Sequence, residues 1–315
     1  MGDFAVNVAI AHQIGAARGN YSILSAMDVK DHELFIAFGQ SINELILRHR
    51  TDLETKRETN NNKLKFGPRW LEATSTAAGP KTRWVDGTPE YSFHICGLRK
   101  LFPDASFIHI LRDVESVVRS MLNFHRATGI HLVRNGEEAY RYWLRTVNAC
   151  LSAERAYGPN VVRRVRYADL IDSPESTMRS LLAFLEEPYA KECLEPLKLR
   201  INSSGPAAGL ANTDTSGDSM VAQEAIRLSA EIEKTNQPAE ASSPAADEMA
   251  AAFEKRAQYI AGLHNLYQTE KSKLESAISE YQAQNSKLQS TIAELRAQIQ
   301  NLSSRSAHPS RVLDP

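Results

Sequence analysis

No stretch of this 315-residue chain reaches the run of about 18 uninterrupted apolar residues that a membrane span requires. Excess charge is lacking as well. The 37 Lys and Arg against 38 Asp and Glu leave a net charge of −1, so bulk electrostatics draw the chain neither to nucleic acid nor to a membrane surface. Cysteine is scarce: Cys96, Cys150 and Cys193 show neither close pairing nor metal-ligand spacing. That excludes a disulfide framework and is simplest for thiols kept reduced in a cytoplasmic protein. Cys96 and Cys150 sit among apolar residues and are expected in the core. The start, Met1-Gly2-Asp3-Phe4-Ala5-Val6, has no basic and apolar leader, and Val6 stands where a myristoylation motif wants Ser or Thr. No G-x-x-x-x-G-K-[ST] phosphate cradle is present. His125 and His131 are six apart, which is no standard metal spacing, so no metal is expected.

What the chain does have is Phe107–Ser120, FIHILRDVESVVRS. Its first five residues have the length and β-branched content of a buried parallel strand. Arg112 and Asp113 end that strand, and Asp113 is a good N-cap for a helix in which Val114, Val117, Val118 and Met121 recur at helical spacing. A strand that ends in Arg and turns into a helix puts a guanidinium at the carboxyl edge of a sheet, where open α/β sheets bind ligands. A guanidinium there suits phosphate. Ser120 follows eight residues later, about two turns along the helix, with its hydroxyl able to reach the same anion. The alternative reading is a surface ion pair for Arg112 and an exposed hydroxyl for Ser120.

The block resembles the 3'-phosphate-binding motif of sulfotransferases that use 3'-phosphoadenosine-5'-phosphosulfate (PAPS). Trp84-Val85-Asp86-Gly87-Thr88-Pro89-Glu90-Tyr91 is similar to the family's segment before this strand. Leu98-Arg99-Lys100-Leu101-Phe102-Pro103-Asp104-Ala105 resembles its usual helix end and turn. Tyr167-Ala168-Asp169-Leu170 and the helix after Pro174 resemble its later part. The resemblance spans about Thr82–Leu185 and implies a three-layer α/β fold with a parallel sheet of the P-loop type. It implies PAPS as co-substrate, Arg112 and Ser120 as ligands of its 3'-phosphate, and a carbohydrate or other hydroxyl or amine compound as acceptor. It also implies a late basic loop over that phosphate, where Arg200, Ser203 and Ser204 stand, although the same residues are ordinary for a domain end.

Two departures from the family's pattern stand out. The family opens with a strand and a loop that cradles the 5'-phosphosulfate; Gly15, Arg18 and Gly19 are a poor substitute, so the chain is expected to start inside the fold. The family also often carries a Lys beside Thr-Pro, and Gly87 stands there. The catalytic base is left open. Asp86, Glu90 and His94 are the nearby titratable groups, and each is equally a cap or a surface residue.

Around this block, a helix is expected over His32–His49 with Asp31 at its start and Arg48, His49 and Arg50 at its C-terminal end. Residues 51–65 are read as a surface loop. Glu137–Tyr157 is an amphipathic helix with Trp143 inward. Val161–Tyr167 is a strand whose Arg163, Arg164 and Arg166 either face solvent or flank the nucleotide. Met178, Leu181, Leu182 and Leu185 are expected to bury the helix after Pro174. The organisation follows: an α/β domain over 1–202, a disordered linker over 203–247 with at most a short helix at 220–234, a coiled coil over 248–304 and a disordered tail over 305–315. In the coil, Ile278, Ile292 and Ile299 occupy a and Leu288, Leu295 and Leu302 occupy d, with Asn285 at a. That pattern favours a parallel homodimer. Two readings remain: a sulfotransferase, or a catalytically silent relative that works as a coiled-coil interaction module.

Overall fold

A computed structural model describes residues 2–17, 23–60, 83–198 and 219–306. The chain falls into two units, Met1–Ala257 and Gln258–Pro315. Within the first, the organising strand is β1 (Phe107–Leu111), paired in parallel with β2 (Val162–Arg166) so that His109 lies opposite Arg164 and Leu111 opposite Arg166. Among the described residues the sheet has these two strands.

Asp113 caps α5 (Val114–Thr128) by accepting from the Ser116 amide at 2.8 Å, and Gly129 closes the helix in the left-handed region at φ 76°. α6 (Gly136–Tyr157) is capped by Asn135 and buries Ala139, Trp143, Val147 and Cys150, as the periodicity predicts. Val118 of α5 meets Trp143 and Val147 of α6 in the main core. Helices cover β2 on both sides. The 162, 164, 166 side of the strand faces α6, and Arg163 donates from the other side to Ser180 of α8 (Pro174–Phe184) at 2.9 Å. β1 is less covered: Ile108 and Ile110 alternate outward and are 37% and 58% exposed, so the strand is buried on one face where its sequence suggested two.

Helices α1 (Gly2–Ala17) and α3 (Asp31–Asn60) pack on α4 (Ile95–Leu101), the helix before β1, and α2 (Ile23–Ala26) packs on α1. Gly39 is needed where α3 crosses α4: a Cβ there would lie 1.7 Å from the Leu101 carbonyl oxygen. Asp31 does open α3, with its carboxylate accepting from the His32 amide at 2.7 Å. The helix then continues to Asn60 where a loop from 51 was expected. Arg48 and His49 are therefore interior to the helix and do not compensate its C-terminus. α7 (Tyr167–Asp172) follows β2 directly, and α9 (Glu195–Lys198) closes this part of the chain. The apolar residues of α8 are half-buried, short of the core position expected of them.

The largest difference lies after residue 218. α10 (Met220–Lys234) is no isolated helix in a linker. Ser219 caps it, and Ala222, Ala225 and Ile232 are buried in the same core as Val118 and Trp143. Small side chains let α10 approach α5 and α6 closely, which is why a segment poor in large apolar residues still buries surface. α11 (Ser243–Ser306) starts inside the first unit, burying Phe253 and Ala257. In the second unit its seam residues Tyr267, Leu274, Leu288, Leu295 and Leu302 are exposed. Among the described residues no helix is long and apolar enough to cross a membrane.

Candidate functional site at the end of the first strand

Arg112 leaves β1 half-exposed, with its guanidinium carbon 4.6 Å from the centre of the Tyr167 ring. Tyr167 directly follows β2, so the register of the two strands brings this ring to the arginine. A guanidinium stacked on a ring keeps its in-plane N–H groups available to an anion. The nearest carboxylate, Asp113, stands 3.9 Å from Nε and is itself engaged with the Ser116 amide. Ser120 is half-buried on α5, four residues after Ser116 and so on the same side of the helix. The first turn of α5 presents its amides, with the positive end of the helix dipole, at the point where Arg112 leaves the strand. Tyr167 is the part of this arrangement that sequence reasoning did not single out, although the Tyr-x-Asp-Leu segment contained it.

Behind Arg112 lies a buried ionic cluster that was not anticipated. Glu154 of α6 is 0% exposed. Its carboxylate takes His109 Nδ1 at 2.6 Å and the Arg164 guanidinium through Nη2 at 2.5 Å and Nε at 3.1 Å. Burial pushes the Glu154 carboxyl up, but the hydrogen bonds and charges of His109 and Arg164 outweigh it and hold the group below the ordinary carboxylate range. Arg164 thus does not face solvent; its guanidinium is taken by Glu154. Its signal in the sequence was Glu154 on the inward stripe of an amphipathic helix, since a charge placed there demands a partner. Next to it, burial and then the Glu154 charge push the Cys150 thiol up to about 12, so this cysteine is an inert core thiol.

The three candidate bases are dispersed among local duties. Asp86 accepts from the Thr88 amide at 3.0 Å, the Thr88 hydroxyl at 2.6 Å and the Tyr91 hydroxyl at 2.9 Å. Burial raises its carboxyl, yet these bonds more than offset it and leave Asp86 a firm anion bracing a turn. Glu90 is exposed and accepts from the Tyr142 hydroxyl at 3.3 Å. His94 precedes α4 and is half-buried against Gly2; burial, then the charge of Arg256, lowers its pKa and keeps it neutral at pH 7. Among the described residues none of the three pairs with Arg112. Gly87 has open space around it. Arg200, Ser203 and Ser204 lie outside the described residues.

Elsewhere, Lys100 bridges Asp31 at 3.1 Å and Glu254 at 3.6 Å beside the rings of Phe35 and Phe253. Asp31, Phe35 and Glu254 also line a cavity of about 420 Å³ together with His12 and Gln13. Among the described residues no predicted site residue lines it. No group of three or more His, Cys, Asp or Glu among the described residues is placed to hold a metal.

A sequence model described as "Sulfotransferase family" matches residues 25–191, more than half of the chain and the whole of the segment that carries Arg112, Ser120 and Tyr167. The chain belongs to the sulfotransferase family. Among solved structures, a chain described as the sulfotransferase domain from the curacin biosynthetic pathway is similar at 18% identity with a TM-score of 0.30. That similarity covers 52% of this chain and 60% of the other, so the chain spans less than two thirds of the length of the structure it matches. No match is found among curated proteins. The family match ends at residue 191, so α10 and α11 lie beyond it although α10 shares the core.

Proposed function

We propose that this chain transfers a sulfuryl group from PAPS to a hydroxyl or amine of an acceptor, with Arg112 and Ser120 holding the 3'-phosphate of the nucleotide. The observation that carries the reading is Arg112 itself. It stands at the carboxyl end of a parallel strand, stacked on Tyr167, beside the N-terminus of a capped helix, inside the segment that matches the family. The reading brings with it the three-layer α/β domain expected over about residues 1–202, supported here by helices on both faces of β2, and a cytoplasmic location. In the reaction the acceptor oxygen or nitrogen attacks sulfur as the bond from sulfur to the bridging phosphate oxygen breaks. The acceptor's proton passes to a base, and 3'-phosphoadenosine-5'-phosphate leaves. Such in-line transfer asks the protein mainly for positioning and for stabilisation of charge on the leaving group. Arg112 and Ser120 anchor the nucleotide and take no part in bond making.

Calorimetric titration with 3'-phosphoadenosine-5'-phosphate tests this reading. Micromolar binding is expected for the wild-type chain, weakened on the order of 100-fold in Arg112→Ala, the loss of a charge-assisted hydrogen bond pair. Wild-type protein that does not bind the nucleotide would withdraw the activity.

A second reading is favoured by the exposed seam of α11 in the second unit. There the chain acts as a parallel coiled-coil homodimer through the part of the expected 248–304 coil beyond Ala257, since Phe253 and Ala257 are buried in the first unit, with Asn285 fixing register, and the nucleotide site is silent. Sedimentation equilibrium separates the cases: a concentration-dependent dimer with no nucleotide affinity supports the module, and a monomer excludes it.

A further inference from the structure

The stretch between α10 and α11 is bonded to β2 in a way that reaches the strand end. Gln237 lies against the edge of β2 away from β1. Its side-chain oxygen accepts from the Arg164 amide at 2.9 Å, and its side-chain nitrogen donates to the Val162 carbonyl. One amide side chain therefore satisfies the donor and the acceptor that a third strand would have taken, closing this edge of the sheet. One residue pair away, the Thr235 carbonyl accepts from Arg164 Nη1 at 3.2 Å and lies 3.5 Å from Arg166 Nη2. The strap is then fixed to the end of α6. The Ser242 amide donates to the Arg155 carbonyl at 2.9 Å, and Ala241 passes so close to Gly158 that a Cβ there would sit 2.8 Å from its nitrogen. Gly158 has a φ of 69°, so a side chain is excluded twice over.

These contacts converge on one carboxylate. Glu154 holds β1 through His109 and β2 through Arg164, two residues opposite each other in the register. Arg164 is at the same time the residue that the strap holds by its main chain and its guanidinium. Beyond Arg164, β2 runs to Arg166 and then to Tyr167, the ring under Arg112. We propose that the strap Thr235–Ser242 is a working part of the nucleotide site although it lies past the matched family segment, with Gln237, Arg164 and Glu154 as positioning residues that set Arg112 through β2 and Tyr167. The proposal rests on the assignment of the nucleotide to Arg112. None of the three touches the ligand; they decide where the guanidinium sits.

The test is a double-mutant cycle in the full-length chain, read by calorimetry with 3'-phosphoadenosine-5'-phosphate at a temperature where circular dichroism shows every variant folded. Gln237→Ala is expected to weaken binding about tenfold, and to weaken it no further once Arg112→Ala is present. A purely structural role would lower the melting temperature and leave the affinity of the folded protein unchanged, which overturns the proposal. Equal losses in both backgrounds also overturn it, because the strap would then act on the site without acting through Arg112. Hydrogen exchange on the ligand-free chain adds a readout independent of the nucleotide. The amides of Leu111, Arg112 and Asp113 should exchange at least about tenfold faster in Gln237→Ala. Wild-type protein that binds no nucleotide defeats the functional assignment alone, and the exchange then decides the strap: unchanged amides at 111–113 sink it.

Discussion

Arg112 and Arg164 are two guanidiniums on neighbouring strands of one sheet, and they differ in what they are given to hold. Arg164 is 7% exposed and its fork is spent on a buried carboxylate at 2.5 and 3.1 Å. Arg112 is 36% exposed, lies over an aromatic ring, and has its nearest carboxylate at 3.9 Å. A buried charge must be neutralised where it stands, so Arg164 is fixed by the fold. A ring binds the flat face of a guanidinium and leaves its edge donors, so Arg112 is fixed in direction and still able to take an anion. The same residue type is a structural tie in one place and the proposed phosphate ligand in the other, and its surroundings decide which.

The sharpest way to break this contrast is Arg164→Ala. It leaves Glu154 buried with His109 as its one remaining partner among the described residues and should cost about 3–5 kcal/mol in denaturant unfolding. Acid is the next lever. Because the folded carboxyl of Glu154 is held below its unfolded value, its contribution is present above the ordinary carboxylate range near pH 4.3 and is lost as pH falls through the folded value. Acid unfolding followed by fluorescence should show this loss in wild type and a transition moved to higher pH in Arg164→Ala. Removing the cap beside Arg112, Asp113→Ala, should cost about 1 kcal/mol by the same denaturant assay. Smallest of all, Arg112→Ala should change stability by no more than about 0.5 kcal/mol while abolishing tight nucleotide binding. If Arg112→Ala destabilised the chain as much as Arg164→Ala does, the two arginines would be alike and the contrast would collapse.

The sequence made the strand, the Asp113 cap and α6 readable because each follows a local rule: an apolar run, a capping residue, a 3.6 period. Arg112 was readable for a related reason, since its place at the strand end needs no knowledge of anything distant. Arg164 was not. Three arginines in Val162–Tyr167 alternate across a strand, and nothing local says which one meets Glu154, ten residues back on a helix that returns to the sheet. The strap escaped for the same cause. Its composition is that of a linker, and its order comes from Gln237 finding main-chain groups of β2 some 75 positions earlier in the chain. Likewise α10 reads as a weak helix by itself and becomes core only against α5 and α6. Local chemistry carried the proposed ligand site; the pairs around it are long-range.

Gln237 has a further consequence, for the behaviour of the protein in concentrated solution. An uncovered strand edge is a template on which another chain can add its own strand, the route by which sheets grow into aggregates. By occupying the Arg164 amide and the Val162 carbonyl, one glutamine withdraws that part of the template from a strand that already carries three arginines. At the β2 edge a single side chain thus takes the main-chain groups on which a further strand would pair.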